Sequence, residues 1–269
     1  MMPVDLQILI PSRSRAGKCR VLRELPASVL AQAALVVPRD QVAEYEPHAQ
    51  LYGVALWGCP VDGIAAVRQW AVQQSTKPKV LMLDDDIGFL KRKQPDDWRL
   101  GICRGDDVTP LMGLVSEYLD RWAHVSVSAR EGQHTHPYPH YEVGRPLRAL
   151  AYQRDKFLAC EHGRVQVMED FDVTLQLLRQ GLSNCIITAY AQGQGQTNAP
   201  GGCSDYRTAA IQEAAARRLA ELHPGCVRLR KIEGRQSTLG DRWDVTIGWQ
   251  KARFGAKGSE SVADESGGL

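Results

Sequence analysis

At 269 residues with 43% hydrophobic content, the chain can bury a core of one large domain or of two small intimate ones. A net charge of +2 excludes a polycation that holds nucleic acid by bulk charge, so any grip on such a partner must come from a local patch. The opening MMPVDLQILIPSRSR has too short an apolar stretch and the wrong flanks for a signal peptide. No segment approaches the roughly 20 apolar residues of a membrane span, so a cytoplasmic protein without membrane contact is expected. Seven cysteines, scattered without a CxxC pair, suggest neither a zinc ribbon nor a complete disulfide framework, and reduced, mostly buried thiols are expected.

The first third alternates regularly. LQILIP (6–11) reads as a short buried strand, and a polar stretch (12–17) leads into a helix around 18–25. ALVVP (34–38) is a second strand, 40–50 a second helix and VALW (54–57) a third strand. VDGIAAVRQWAVQQ (61–74) is a helix with Ile64, Val67, Ala71 and Val72 on one face, followed by the strand KVLMLD (79–84). Strand–helix alternation at this spacing predicts a parallel sheet with helices on its faces. Ligands in such sheets bind outside the carboxyl ends of the strands, which singles out PSRSR after the first strand and the carboxylates after the fourth.

The middle is less regular. Residues 91–107 read as a Pro- and Asp-flanked loop, 110–122 as a helix with Pro110 in its first turn, and HVSVSAR as a strand. EGQHTHPYPHYEVGRP (131–146) reads as a surface loop. RALAYQRDKFL supplies a strand and the start of a helix. EDFDVTLQLLRQGLSN is a helix with acids at its start and Gly181 placed to cap its end, and NCIITAY is a strand. GQGQTNAPGGCSDY has the composition of a flexible loop, 206–222 of a helix, and VRLRKIEGR and WDVTIGWQ of a terminal hairpin. The tail from Gly255 reads as disordered, which leaves one domain over 1–254 and a tail over 255–269. There is no internal repeat.

VLML set directly against Asp84, Asp85 and Asp86 places three like charges at the edge of a core. Such charges are costly unless a cation neutralises them, and carboxylate oxygens are preferred ligands of magnesium and manganese. Strand alternation predicts Asp84 and Asp86 on one side and Asp85 on the other. An acidic turn facing water, or an N-cap cluster, would carry the same letters.

Taken together, IPSRSR closing the first strand, GIAAVRQ on a helix, LDDDIGF and EDFDVTLQLLRQG resemble the GT-A fold of nucleotide-sugar glycosyltransferases. Their wording is similar to the TET-associated glycosyltransferases of bacteriophages, relatives of the base J glucosyltransferase. The resemblance covers about residues 5 to 190. It implies an α/β, Rossmann-like, mostly parallel sheet with helices on both faces. The implied reaction moves a sugar, glucose in the first instance, from a UDP-sugar to the hydroxymethyl group of 5-hydroxymethylcytosine in double-stranded DNA, with Mn2+ or Mg2+ as cofactor. A phage-encoded enzyme of this kind would work in the host cytoplasm.

Carried over by position, Pro11, Ser12, Arg13 and Arg15 would hold the nucleotide and its diphosphate, as forked arginine bonds to phosphate allow, although the loop alone reads as a solvated turn. Arg68 would contact donor groups; alone, it reads as the partner of a helix-face carboxylate. Asp84 and Asp86 would bind the metal, with Asp84 and Asp85 also toward the donor. Glu169 and Asp170 match the position of the catalytic base, Asp170 favoured, while acids in a first helical turn also stabilise a helix dipole without any chemistry.

The acceptor side is less determined. His134, His136, Tyr138, His140 and Tyr141 could stack on a base flipped from the duplex, or form a plain surface loop; no nearby cysteine or acid completes a zinc site. Lys91, Arg92 and Lys93, and Arg228, Arg230 and Lys231, are candidate phosphate contacts. The loop over 193–206 has the composition of a lid or of a linker. A saccharide or protein acceptor, nucleotidyl transfer, or a DNA-associated domain without turnover would use the same scaffold, and the oligomeric state is open.

Overall fold

A computed structural model describes residues 2–194, 207–233 and 240–255. The first third follows the alternation read from the sequence: β1 (Leu6–Pro11), α1 (Arg20–Glu24), α2 (Ala27–Leu30), β2 (Ala33–Pro38), α3 (Val42–Tyr52), β3 (Ala55–Cys59), α4 (Ile64–Gln74) and β4 (Lys79–Leu83). These strands lie in the order β3-β2-β1-β4 and run parallel. Then come β5 (Ile87–Gln94), β6 (Asp97–Ile102), α5 (Thr109–Leu119), β7 (His124–Ala129), β8 (His140–Glu142), β9 (Ala149–Gln153), α6 (Arg154–Leu158), α7 (Glu169–Arg179) and β10 (Asn184–Gln194). In this half the sheet is mixed: β9 inserts antiparallel between β4 and β7, β10 runs parallel to β7, and β5 and β6 close the edge antiparallel, with β8 on β10.

Burial on both faces explains why the central strands read as unbroken apolar runs. Ile8, Ile10, Leu81 and Leu83 enter one core layer with α1, α3 and α5, while Leu9, Val80 and Met82 enter the other with α4, α6 and α7. A third cluster joins α7 to α8 (Ala209–Leu222), β11 (Val227–Ile232), β12 (Arg242–Ile247) and α9 (Trp249–Phe254). β11 and β12 form the antiparallel hairpin anticipated from the sequence, separate from the main sheet.

Residues 91–107 are not a loop. Most of them form the β5–β6 hairpin, whose polar letters suit an edge strand that has a neighbour on one side only and is blunted by charge. The last strand is also shorter than WDVTIGWQ suggests, because Trp249 begins α9. The flexible segment and the tail expected from the sequence lie, from 195 to 206 and from 256 onward, outside the described residues. Cys19, Cys59, Cys103, Cys160 and Cys185 are buried, Cys226 is half-buried, and all six are free of disulfides; Cys203 is outside the described residues. Among the described residues no helix is long and apolar enough to cross a membrane.

The helix that carries the acidic pair is held on two sides. Val173 and Leu177 of α7 pack toward the sheet, Phe171, Leu175 and Leu178 toward α8 and the hairpin, and Gly181 at φ 86° lets the chain turn away. Between these apolar faces Asp172, 2% exposed, takes two bonds from Arg164, at 3.0 and 2.6 Å, and one contact from His223 Nε2 at 2.7 Å. Burial works to raise the Asp172 carboxyl, but donation from His223 and Arg164 outweighs it and holds the group below its usual value of 3.8. Its stabilising contribution is therefore fully present above that value and is lost as the pH falls through the lower folded-state value. Asp172→Ala is expected to cost about 3–5 kcal/mol in urea unfolding at neutral pH, because it strands Arg164 and His223. Asp172→Asn should lose part of the wild-type fall in urea midpoint below about pH 4, a comparison of unfolding curves at each pH being the check.

Candidate active site

The loop after β1, the turn after β4 and the start of α7 meet at the carboxyl edge of the parallel strands. β4 ends at Leu83, so the aspartates sit in the turn into β5 rather than on the strand. Alternation holds for the first two: Asp84 faces α4, and Asp85 faces the opposite layer beside Tyr45 and Cys19. It stops there, because Asp86 shares Arg15 with Asp85 instead of pointing with Asp84.

On the Asp85 side, Arg15 Nη1 lies 2.5 Å from Asp85 Oδ1 and 3.2 Å from Asp86 Oδ2. Ser12 donates to Asp85 Oδ2 at 2.5 Å, and the Tyr45 hydroxyl accepts the Arg15 backbone N–H at 2.8 Å and lies 3.0 Å from Ser12 Oγ. Burial raises the Asp85 carboxyl against the pull of Ser12 and Arg15. Asp85 is 5% exposed, so it holds the β1 loop and aims Arg15 from within. Gln194 Nε2, at the end of β10, donates to Asp86 Oδ1 at 3.1 Å.

On the Asp84 side, Arg68 Nη2 lies 3.1 Å from Asp84 Oδ1 and Arg68 Nη1 lies 2.5 Å from Glu169 Oε1. Arg68, 8% exposed, thus bridges a carboxylate of the triplet to a carboxylate of α7. Burial raises Asp84 to about 6 even with Arg68 beside it, an effect that solvent moderates because 33% of the side chain stays accessible. Burial pushes Glu169 up as well, with Asp170 adding to the rise and Arg68 opposing it. The Asp170 carboxylate accepts the Phe171 backbone N–H at 3.0 Å through Oδ1. Arg68, Tyr152, His162, Arg164, Glu169 and Asp170 line one cleft.

Backbone strain marks the same places. Ser14 at φ 55°, Arg148 at φ 58° and Met168 at φ 65° are non-glycine residues in the left-handed region, each costing on the order of 1–3 kcal/mol. Ser14 lies in the β1 loop, the Arg148 carbonyl accepts the Asp84 N–H at 2.9 Å, and Met168 immediately precedes Glu169.

Asp84, Asp85, Asp86, Glu169 and Asp170 face only Arg15 and Arg68 among the ion pairs of the described residues, so negative charge is in excess here. No group of three His, Cys, Asp or Glu among the described residues could hold a metal alone. Mg2+ is usually bound through one or two carboxylates and completed by substrate phosphates, a mode that needs no cage made only of protein. Asp84 and Asp86 keep 33% and 22% of their side chains accessible, Asp84 on the Arg68 side of the turn and Asp86 on the Arg15 side.

The remaining residues singled out by sequence are spread around this core. Pro11 ends β1 in register with Val36, and Arg13, at the surface, is paired with Asp62 at 2.8 Å. The histidine loop uses its rings for packing: His136 stacks on Tyr141 at 4.3 Å, and His140 meets Tyr118 and Trp122 edge-on. The carbonyls of His134 and His136 accept from Arg92, which lies about 20 Å along β5 from Asp86 at roughly 3.3 Å per residue. Tyr138 is 43% exposed beside Arg92. Tyr45, Gln194 and the Arg148 carbonyl escape sequence reading. Gln194 alone leaves a trace, since AYAQGQ continues the strand pattern past Tyr190.

Arg68→Met is expected to lower stability by about 3–5 kcal/mol in urea unfolding, because it leaves Asp84 and Glu169 without their shared cation. Arg68→Lys should recover only part of this, since a single ammonium lacks the fork that reaches both carboxylates.

The model of the TET-associated glycosyltransferase family matches residues 6–202. The chain is similar to the beta-glucosyl-HMC-alpha-glucosyl-transferase of Enterobacteria phage T2, with 23% identity over 249 residues and 88% of each chain covered. In structure it is similar to glucosyl-3-phosphoglycerate synthase from Mycobacterium tuberculosis in complex with Mg2+ and uridine-diphosphate, at a TM-score of 0.51 and 11% identity, covering 90% of this chain and 86% of that one. The same synthase with Mn2+, UDP-glucose and phosphoglyceric acid matches at a TM-score of 0.51 and 10% identity over 84% and 83% of the two chains. The architecture is that of the GT-A glycosyltransferases.

Proposed function

The chain belongs to the TET-associated glycosyltransferase family, and from that premise we propose that it transfers glucose from UDP-glucose to the hydroxymethyl group of 5-hydroxymethylcytosine in double-stranded DNA. The observation that carries the reading is the convergence, at one strand edge, of the carboxylate triplet, Arg15 and the Arg68–Glu169 bridge. The similarity to the phage T2 transferase, named for HMC, supports the acceptor. The synthase that shares the fold holds Mn2+ and UDP-glucose, which supports the donor and the ion.

A divalent cation held by Asp84 and Asp86 would serve as a Lewis acid toward the diphosphate. Arg15, fixed by Asp85 and Asp86, offers its guanidinium to the diphosphate from the β1 loop, while Arg68 stands between donor and acceptor sides. Asp170 is the base: one oxygen takes the Phe171 N–H and the other is available to the acceptor hydroxyl, whereas Glu169 is engaged with Arg68. As Asp170 removes the hydroxyl proton, the acceptor oxygen bonds to the anomeric carbon and the carbon–oxygen bond to UDP breaks, UDP leaving with the electron pair. Attack opposite the leaving group would invert the anomeric centre, whereas the phage T2 relative is named for an alpha-glucosyl product, so the anomer formed is part of the test. The cytoplasm, where UDP-sugars and DNA meet, is the place for this reaction.

The phage T2 relative's name includes a glucosyl group already on HMC, which favours a second reading in which the acceptor is a sugar hydroxyl on glucosylated DNA. Incubation with UDP-glucose, Mn2+ and duplexes carrying either 5-hydroxymethylcytosine or its glucoside, followed by digestion, separates the two by which nucleoside gains a hexose mass. Gain on neither would sink both. With the productive duplex, Asp86→Asn is expected to abolish transfer while changing the thermal midpoint little, because the repulsion from Asp84 and Asp85 that it relieves is offset by the Arg15 contact that it weakens. Full activity of that variant in EDTA would end the metal assignment. Asp170→Asn should slow single-turnover transfer by about a hundredfold to ten-thousandfold with UDP affinity preserved, and Glu169→Gln should slow it less. Wild-type rates in both variants, or a product with the donor's anomeric configuration, would rule Asp170 out as base.

A further inference from the structure

Positive charge is unevenly placed along the chain. Residues 207–254 hold ten Lys and Arg against five Asp and Glu, whereas the whole chain nets only +2. This stretch lies beyond the family match, which ends at residue 202.

Two basic clusters compete for contact with phosphate, and the structure separates them. In the β5–β6 hairpin Lys91 is held by Asp107 at 2.5 Å and Arg99 by Asp97 at 2.7 Å, which leaves Lys93 as its one exposed cation without an ion pair among the described residues. Arg92, 8% exposed, turns inward onto the carbonyls of Pro95, His134 and His136. In the β11–β12 ribbon Arg228, Arg230 and Lys231 are exposed and make no ion pair among the described residues. Register sets Arg228 opposite Thr246 and Arg230 opposite Asp244, on one face, and the Asp244 carboxylate leans to Arg242 at 3.7 Å. Val227 and Val245, on the other face, are buried in the core shared with α8. The ribbon thus has its apolar side covered at Val227 and Val245, with Leu229 left 36% exposed, and its arginine side open.

The ribbon is also tied to the transfer site. β12 leads through Gly248 to Trp249, whose ring meets Phe171 edge-on at 5.6 Å, and Phe171 directly follows Asp170. Val227 and Val245 share a core with Val165, Val167 and Met168, the residues that lead into Glu169.

We propose that the outer face of the β11–β12 ribbon, through Arg228 and Arg230 with Lys231 at its edge, grips phosphates of the acceptor DNA duplex and fixes the duplex relative to Asp170. This rests on the reading of DNA as acceptor. Guanidinium forks match phosphate oxygens, alternate strand residues stand about 6.6 Å apart, and a two-stranded ribbon is of a size that duplex grooves admit. Contacts of this kind position the substrate without reading its sequence.

The test measures binding of the full chain to a labelled 5-hydroxymethylcytosine duplex by anisotropy between about 50 and 200 mM salt. For Arg228→Gln/Arg230→Gln the slope of log affinity against log salt should shrink by about two, and affinity at fixed salt should fall by about tenfold or more. UDP affinity and thermal midpoint should stay at wild-type values, Arg228→Lys/Arg230→Lys should recover most of the slope, and Lys93→Gln should leave it unchanged. A double variant with wild-type slope and affinity, in a wild-type enzyme that does glycosylate the duplex, would overturn the ribbon assignment and leave the acceptor reading standing. Loss of UDP affinity alongside DNA affinity would overturn it too, by showing that the arginines act through the fold. A wild-type chain that neither binds nor modifies DNA would remove the acceptor reading and the ribbon with it.

Discussion

The architecture around the cleft depends on one buried guanidinium. Arg68 leaves the middle of α4 and meets Asp84 from the β4 turn and Glu169 from α7, residues separated from it by 16 and 101 positions. A guanidinium stays charged at any pH the protein meets, and its planar fork can serve two carboxylates at once. Without it, two acids with limited access to water would face each other across the cleft. The cost of burying such charges is offset only when geometry is good and partners are present, so the contact fixes how α4, β4 and α7 sit together.

A similar arrangement repeats one layer away with different parts. Asp85, buried among Ser12, Tyr45 and Cys19, holds Arg15, and Arg15 in turn reaches Asp86. The turn after β4 therefore divides its charges between two arginines on opposite faces of the sheet, Asp84 going to Arg68 and Asp85 with Asp86 to Arg15. Ser14, Arg148 and Met168, three of the four non-glycine residues at positive φ among the described residues, lie in the β1 loop, at the carbonyl that receives the Asp84 N–H and at the start of α7; the fourth is Val143. Such preorganisation suits a site that must stabilise developing charge on a leaving diphosphate without rearranging when it appears.

What could be read from sequence followed from local physics. The buried strands announced themselves as apolar runs because both sheet faces are covered, as Leu9 and Ile10 entering opposite layers illustrates. The opposed directions of Asp84 and Asp85 followed from strand alternation, and the start and stop of α7 from its acids and Gly181. What could not be read depends on contacts distant in sequence. Nothing near Tyr45 marks it as the residue that braces the β1 loop, and nothing near Glu169 tells that its carboxylate belongs to Arg68. β6 is hidden in the sequence because edge strands tolerate polar residues, and the histidines at 136 and 140, suggestive as base readers, are packed on Tyr141, Tyr118 and Trp122. The two basic clusters are equivalent as letters; ion pairing and burial leave Arg228, Arg230 and Lys231 open on the β11–β12 ribbon but only Lys93 on the β5–β6 hairpin.

Asp84 and Glu169 act as one unit through Arg68. A double-mutant cycle on single-turnover transfer, with Asp84→Asn, Glu169→Gln and the double variant, measures this directly. If the two share Arg68, their effects on the activation free energy should depart from additivity by about 0.5–3 kcal/mol, the double variant being little slower than the slower single one. Effects that add to within about 0.3–0.5 kcal/mol would show two independent carboxylates and contradict it.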